Sequence, residues 1–210
     1  MRKRAPRVCV LVSGGPDSAV LMADYLRRGY EVYPLYVRSG FNWERVEMIW
    51  LKRLMTALKE PRLKPLTVAR SPVSELLKKH WGLDGRGVPS ASDAWDSVFL
   101  PGRNLLLLSH AALFCSVRDI PLLAQGLLKG NPFGDATPHF RRLMQRTIAA
   151  GLDKRIKLAT PFAKLTKAQM LRRAGGLPLE LTFSCLKPRG LRHCGVCSKC
   201  FERERCIGKA

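Results

Sequence analysis

Six residues near the start of the chain, Ser13-Gly14-Gly15-Pro16-Asp17-Ser18, are of the types that hold an anion. Two glycines let the backbone bend and bring N–H groups toward a ligand. Pro16 and Asp17 suit the first turn of a following helix. A helix start adds unpaired N–H donors and a partial positive charge, so the segment reads as a phosphate cradle. It lacks the lysine of G-x-x-x-x-G-K-[ST], and it is not G-x-G-x-x-G. The plain alternative, a tight turn from strand to helix, accounts for a Gly-Gly but not for the whole string. A second cluster stands near the other end: Cys185, Cys194, Cys197 and Cys200, spaced C-x8-C-x2-C-x2-C. Four thiolates at this spacing can close a tetrahedron around zinc with no position left for water, which makes a structural site. Pro188, Gly190 and Gly195 allow the tight turns, and His193 is the alternative fourth ligand. Cys9 and Cys115 lie in apolar segments and read as core; Cys206 reads as a bystander.

A cradle of this kind needs a strand before it and a helix after it. The apolar, β-branched run 7–12 supplies the strand, and helical spacing over 18–28 supplies the helix. Further strands are expected over 31–37, with Pro34 its weak point, and over 63–69, 120–126 and 155–160. Further helices are expected over 43–58, 73–81, 104–117 and 139–150, and from a Thr166 cap to Ala174. Residues 82–96 are rich in Gly, Ser and Asp and read as a loop long enough to be a lid; residues 129–138 form a second, turn-rich loop. This alternation predicts an α/β fold with a parallel, five-stranded, doubly wound sheet. Ligands then bind beyond the carboxyl ends of the strands, at the loops after Val12, Val37, Ala69, Gly126 and Thr160. The expected division is a phosphate-binding α/β body over 1–182 and a cysteine-rich tail over 183–210 packed on it.

The chain has 210 residues, 46% of them hydrophobic and 25% charged, which is the composition of a globular domain. No apolar run approaches the ~20 residues that span a bilayer, so no membrane span is expected. The basic start, Met1 to Arg4, is followed by an apolar run too short for a secretory signal. Clustered cysteines without an export signal point to a reducing, cytoplasmic setting. Thirty-seven Lys and Arg against sixteen Asp and Glu leave a net charge of +21. That suits a polyanionic partner, nucleic acid or nucleotide phosphates, or else a plain solvated basic surface.

The S-G-G-x-D-S string after the first strand resembles the PP-loop ATP pyrophosphatases, which cleave ATP to AMP and pyrophosphate while AMP activates a substrate oxygen. The resemblance widens with P-G-R-N at Pro101 to Asn104, T-K at Thr166-Lys167, T-F-S-C at 182–185 and H-C-G-V-C-S-K-C at 193–200. In this order, over nearly the whole chain, the sequence is similar to the 7-cyano-7-deazaguanine synthase family. The resemblance implies that Val12, Ser13, Gly14, Gly15, Pro16, Asp17 and Ser18 hold the phosphates. It puts Asp17, Ser18, Lys167 and Arg103 at the reacting centre and zinc on Cys185, Cys194, Cys197 and Cys200. The plain alternatives are a helix cap at Arg103-Asn104 and a solvated lysine at Lys167. The implied partners are ATP with Mg2+, ammonia and a deazapurine carboxylate; a nucleic-acid contact and a homodimer are further expectations.

Two loops depart from the family pattern: Arg38 to Glu44 after the second strand, and Gly130 to Thr137 after the fourth. Both lie where the sheet places an acceptor. Arg38, Trp43, Glu44, Phe133 and Asp135 are the expected acceptor residues, the rings to stack and the carboxylates to meet a guanine-like edge. The alternative is that Trp43 begins a core-packing helix and Asp135 caps a turn. The implied reaction adenylates the carboxylate, admits ammonia to give an amide, and adenylates the amide oxygen to leave a nitrile. The rival readings are a PP-loop enzyme acting on a tRNA base or another carboxylate, and a non-catalytic zinc protein that binds nucleic acid.

Overall fold

The computed structural model describes residues 4–208; residues 1–3 of the basic start and the last two residues of the tail lie outside the described residues. The first apolar run forms β1 (Arg7–Leu11), and the chain after the Gly-Gly turn forms α1 (Pro16–Arg27). There follow β2 (Glu31–Arg38), α2 (Glu44–Leu58), β3 (Thr67–Arg70) and the single turns α3 (Ser74–Leu77) and α4 (Trp81–Asp84). The second half has α5 (Arg103–Val117), β4 (Leu122–Ala124), α6 (Pro138–Leu152), β5 (Lys157–Ala159), α7 (Lys167–Leu171) and α8 (Ser198–Ile207).

All five strands pair in parallel, in the order β3-β2-β1-β4-β5. Side-chain alternation along β1 sends Val8 and Val10 to one face and Cys9 and Leu11 to the other. The first face is covered by α1, α2 and α7, which bury Leu21, Leu54 and Met170. The second is covered by α5 and α6, which bury Leu108, Cys115 and Ile148. The expected doubly wound α/β sheet is thus the one observed. Its connections leave β1 toward β2 on one side and reach β4 on the other. The carboxyl ends of β1 and β4 therefore flank a crevice that no connection crosses.

Some elements differ from expectation for local reasons. Pro34 sits inside β2, opposite Val10. On its outer side Val32 bonds Arg62 and Lys64, and the β3 ladder resumes at Thr67 opposite Leu35, so Pro34 falls in the break. The same break shortens β3: Leu63 makes only an isolated bridge to Val32, and Pro65 has no N–H to extend it. The helix expected over 73–81 is split at Lys78, whose φ is 45°. The tail contains a ten-residue helix, α8, beyond the expected knuckle. The 82–96 loop is pinned to that tail: Ser90 bridges Cys197, and the Ser198 N–H donates to the Pro89 carbonyl at 2.9 Å.

Candidate active site

The crevice is built first by backbone. Gly14 turns the chain with φ 75°, and a Cβ there would sit 3.1 Å from the Glu47 carbonyl oxygen of α2. Only glycine suits that turn. Ser18 Oγ accepts from the Ser13 N–H at 3.2 Å and donates to the Gly15 carbonyl at 3.0 Å, which holds the loop against the start of α1. Across the crevice Gly126 follows β4, and a Cβ on it would lie 3.3 Å from the Asp17 backbone. Two clefts meet here. One, of about 330 Å³, is lined by Val12, Ser13, Asp17, Ser18, Tyr36, Arg103 and Gln125 among others. Its neighbour, of about 490 Å³, shares Asp17 and adds Lys129, Phe133, Lys167, Lys199 and Glu202.

Lys167 is aimed by its helix. Thr166 Oγ1 accepts from the Gln169 N–H at 3.3 Å, and Gln169 Oε1 accepts from the Thr166 N–H at 2.9 Å. This reciprocal cap fixes the first turn of α7. Lys167 Nζ then reaches Asp17 Oδ1 at 2.6 Å and Glu202 Oε1 at 3.7 Å. Burial lowers the Lys167 pKa, but the carboxylates of Asp17 and Glu202 outweigh it and hold the ammonium above its ordinary value. Glu202 also pairs with Lys199 at 2.9 Å. Burial would raise its pKa, and the ammoniums of Lys199 and Lys167 bring it below the usual range instead.

The inner cleft rests on a buried polar layer. The Tyr36 hydroxyl donates to Glu47 Oε2 at 2.6 Å. Burial pushes the Glu47 carboxyl up to about 8, against the opposing pull of the Tyr36 hydrogen bond and of Arg103. Burial also raises the Tyr36 phenol. Arg103, the first residue of α5, lies over the Phe41 ring at 4.8 Å. Its Nη1 is buried with no hydrogen-bond partner among the described residues. A relay runs beside it: Gln125 Nε2 donates to Asn104 Oδ1 at 2.6 Å, and Asn104 Nδ2 donates to Asp135 Oδ1 at 3.1 Å. An ionised carboxylate only accepts, so Asp135 sets the direction of both amides and leaves Gln125 its oxygen. That oxygen is likewise buried and without a partner among the described residues.

The four cysteines of the tail converge. Their sulfurs lie within 4.8 Å of one another, and all four residues are buried. Cys194 Sγ is 3.8 Å and Cys197 Sγ 3.5 Å from Cys200 Sγ. Backbone N–H groups of Cys194, Lys187 and Leu186 donate to the cluster's sulfurs at 3.2, 3.4 and 3.5 Å. Such donors favour thiolates over thiols, so the donor set fits a metal ion. His193 packs on Phe183 at 4.4 Å instead. Cys9 and Cys115 are wholly buried between sheet and α5, and Cys206 is exposed.

The structure thus brings Val12, Ser13, Asp17, Ser18 and Arg103 to one cleft, and Asp17, Phe133 and Lys167 to its neighbour. It does not bring Arg38, Trp43, Glu44 or Asp135 to either. Glu44 is fully buried and accepts from the N–H groups of Ser39 (2.6 Å) and Gly40 (3.1 Å), holding the loop after β2. Arg38 turns toward that carboxylate, with Nε at 3.7 Å. Trp43 stacks on Phe41 at 4.9 Å and on Trp81 at 5.7 Å, inside the core. Asp135 receives the Asn104 N–H at 2.8 Å and caps α5. Backbone donors occupy the carboxylates of Glu44 and Asp135, and ring neighbours occupy Trp43. Tyr36, Glu47, Gln125, Lys199 and Glu202 were not expected. Glu47 had a signal, a carboxyl on the same helical face as Leu51 and Leu54.

A parallel α/β sheet with an S-G-G-x-D-S turn at its switch point defines the PP-loop class of fold. A solved structure described as a U34-tRNA thiolase from Methanococcus maripaludis with its [4Fe-4S] cluster superposes with a TM-score of 0.54, at 14% identity over 92% of this chain and 63% of that one. A 4-thiouridine synthetase–RNA complex with bound ATP gives 0.54 at 14% identity, over 95% and 50%. The chain belongs to the family of queuosine biosynthesis protein QueC, whose profile matches residues 7–210. It is 32% identical to 7-cyano-7-deazaguanine synthase 1 of Desulfitobacterium hafniense (strain Y51), over 96% of this chain and 91% of that one. Among the described residues, no helix is long and apolar enough to cross a membrane.

Proposed function

We propose that the protein makes 7-cyano-7-deazaguanine from 7-carboxy-7-deazaguanine, ammonia and ATP. The observation that carries this reading is the meeting of the Ser13–Ser18 turn, Lys167 and Arg103 around one crevice, in a chain of the QueC family. A carboxylate is a poor electrophile, because ammonia would have to expel oxide. Its oxygen therefore attacks the α-phosphorus of ATP, and the bond to pyrophosphate breaks. The N–H groups of the turn and the Lys167 ammonium take up the charge that grows on the departing pyrophosphate. Asp17 would hold Mg2+, which would supply screening of the triphosphate charge. Ammonia attacks the acyl carbon, AMP leaves with one carboxylate oxygen, and a proton is lost to give the amide. The amide oxygen then attacks a second ATP; AMP departs with that oxygen, two N–H protons are lost and the nitrile remains. Two oxygens leave, so two ATP are consumed.

Arg103 meets the acceptor carboxylate, Phe133 a face of its ring, and the Gln125 oxygen an N–H of its edge. Glu44, Trp43 and Asp135 act from behind, by holding Arg38, Phe41 and Gln125. The four cysteines hold zinc: a tetrahedron with Zn–S bonds of about 2.3 Å has edges of about 3.8 Å, close to the 3.8 and 3.5 Å from Cys200 Sγ to the sulfurs of Cys194 and Cys197. Residues 183–210 are a metal-binding tail on the 1–182 body, tied to it by Phe183 N–H to the Gly14 carbonyl (2.8 Å) and Arg203 to Thr182 (2.7 Å). Mass spectrometry of an incubation with the deazaguanine acid, ammonium and Mg-ATP tests the reading. The nitrile, two AMP and two pyrophosphates are expected. An untouched acid, with another carboxylate or an RNA adenylated instead, would overturn it.

A further inference from the structure

The larger cleft has a wall that the cradle does not supply. Helix α8 begins one residue after Cys197 and carries Lys199 and Glu202 on the side that faces α1 and α7. Lys199 Nζ meets Glu202 Oε2 at 2.9 Å, and Glu202 Oε1 meets Lys167 Nζ at 3.7 Å, with Asp17 Oδ1 2.6 Å beyond. Two ammoniums from different parts of the chain thus line a cleft of about 490 Å³ together with Asp17 at the start of α1. The Lys199 side chain is 28% exposed and that of Glu202 is 21% exposed, so both border the opening rather than the core. The chain runs Lys199–Glu202–Lys167–Asp17, and its two ammoniums beside a helix N-terminus suit a ligand with several charges, not a single phosphate.

Resting on the proposed use of ATP, we propose that Lys199 is a direct ligand of the β- and γ-phosphates, so that the cysteine centre builds one wall of the nucleotide site. Lys199 stands between Cys197 and Cys200. Cluster ligands stand on either side of it in the chain, and Glu202 keeps its ammonium on the cleft. A metal bound by these cysteines has a role in substrate binding as well as in folding.

The test is calorimetric titration of the metal-loaded protein with inorganic pyrophosphate, Mg-ATP and AMP. Wild type is compared with Lys199→Met and Lys199→Arg, with metal content measured on each. Lys199→Met is expected to keep its metal and to bind pyrophosphate and Mg-ATP roughly tenfold or more weakly, with AMP unchanged. Lys199→Arg is expected to restore most of the loss, which a merely structural lysine would not predict. Removing the metal from wild type is expected to weaken pyrophosphate more than AMP. Wild-type affinity for pyrophosphate in metal-loaded Lys199→Met would overturn the placement of Lys199 and leave ATP use standing. Loss of metal in Lys199→Met with no rescue by Lys199→Arg would assign the lysine to folding and overturn it too. A wild type that binds neither Mg-ATP nor pyrophosphate would overturn both readings.

Discussion

Glu47 is a carboxyl group that the fold keeps from water. Its pKa is raised from near 4.5 to about 8, mainly by burial. Between those values the folded chain binds a proton that the unfolded chain has lost, so stability falls as pH rises. The contribution is fully present below pH about 4.5 and gone above about 8, a swing of up to a few kcal/mol. Glu47→Gln should flatten the dependence of Tm on pH between 5 and 8; an unchanged slope would place the titration elsewhere. Under the proposed function, Asp17 belongs to the chemistry instead. Asp17→Ala should leave the fold intact and lower AMP and pyrophosphate release about a hundredfold or more, and ADP as the primary wild-type product would contradict the assignment. What was legible in the sequence was local geometry: Ser13 to Ser18 form a turn of consecutive backbone at the start of one helix. Glu44 and Asp135 were not, because whether a carboxylate faces a ligand or a backbone N–H depends on segments far along the chain. Asp135 bonds Asn104, and Trp43 meets Trp81.

At the scale of elements, α7 shows how a short helix aims one side chain. With five residues it has little stability of its own, and the Thr166–Gln169 cap defines its start. Thr166→Ala should cost about 1 kcal/mol locally and raise the KM for ATP severalfold, and Thr166→Ser should restore it. Equal KM values in all three proteins would mean that Lys167 is held by its ion pairs alone. Most elements were readable because burial on both faces makes strands apolar and burial on one face gives helices their period. The break at Lys78 was not, since it depends on a backbone turn that periodicity does not encode. Nor was α8, where cysteine spacing masked the polar-and-buried pattern of Cys200 and Arg203.

At the scale of the whole molecule, the tail, the 82–96 loop and the crevice form one mechanical chain through Ser90–Cys197, Ser198–Pro89 and Phe183–Gly14. One metal ion per chain is expected, lost on replacing any of Cys185, Cys194, Cys197 or Cys200 with Ser. Metal removal should then raise hydrogen exchange in α8 and in residues 85–98 together, while β1 and β4 stay protected. Faster exchange confined to the tail would show the loop to be independently held. The sheet order has a different consequence, for behaviour in concentrated solution. Its two margins are β3, four residues long, and β5, three residues long, and each carries an exposed cation, Arg70 and Lys157. A strand from another copy finds few open backbone groups there and meets like charge, on a surface already at +21. The brevity of those strands is therefore what guards an apolar, all-parallel sheet against growing by edge-to-edge addition.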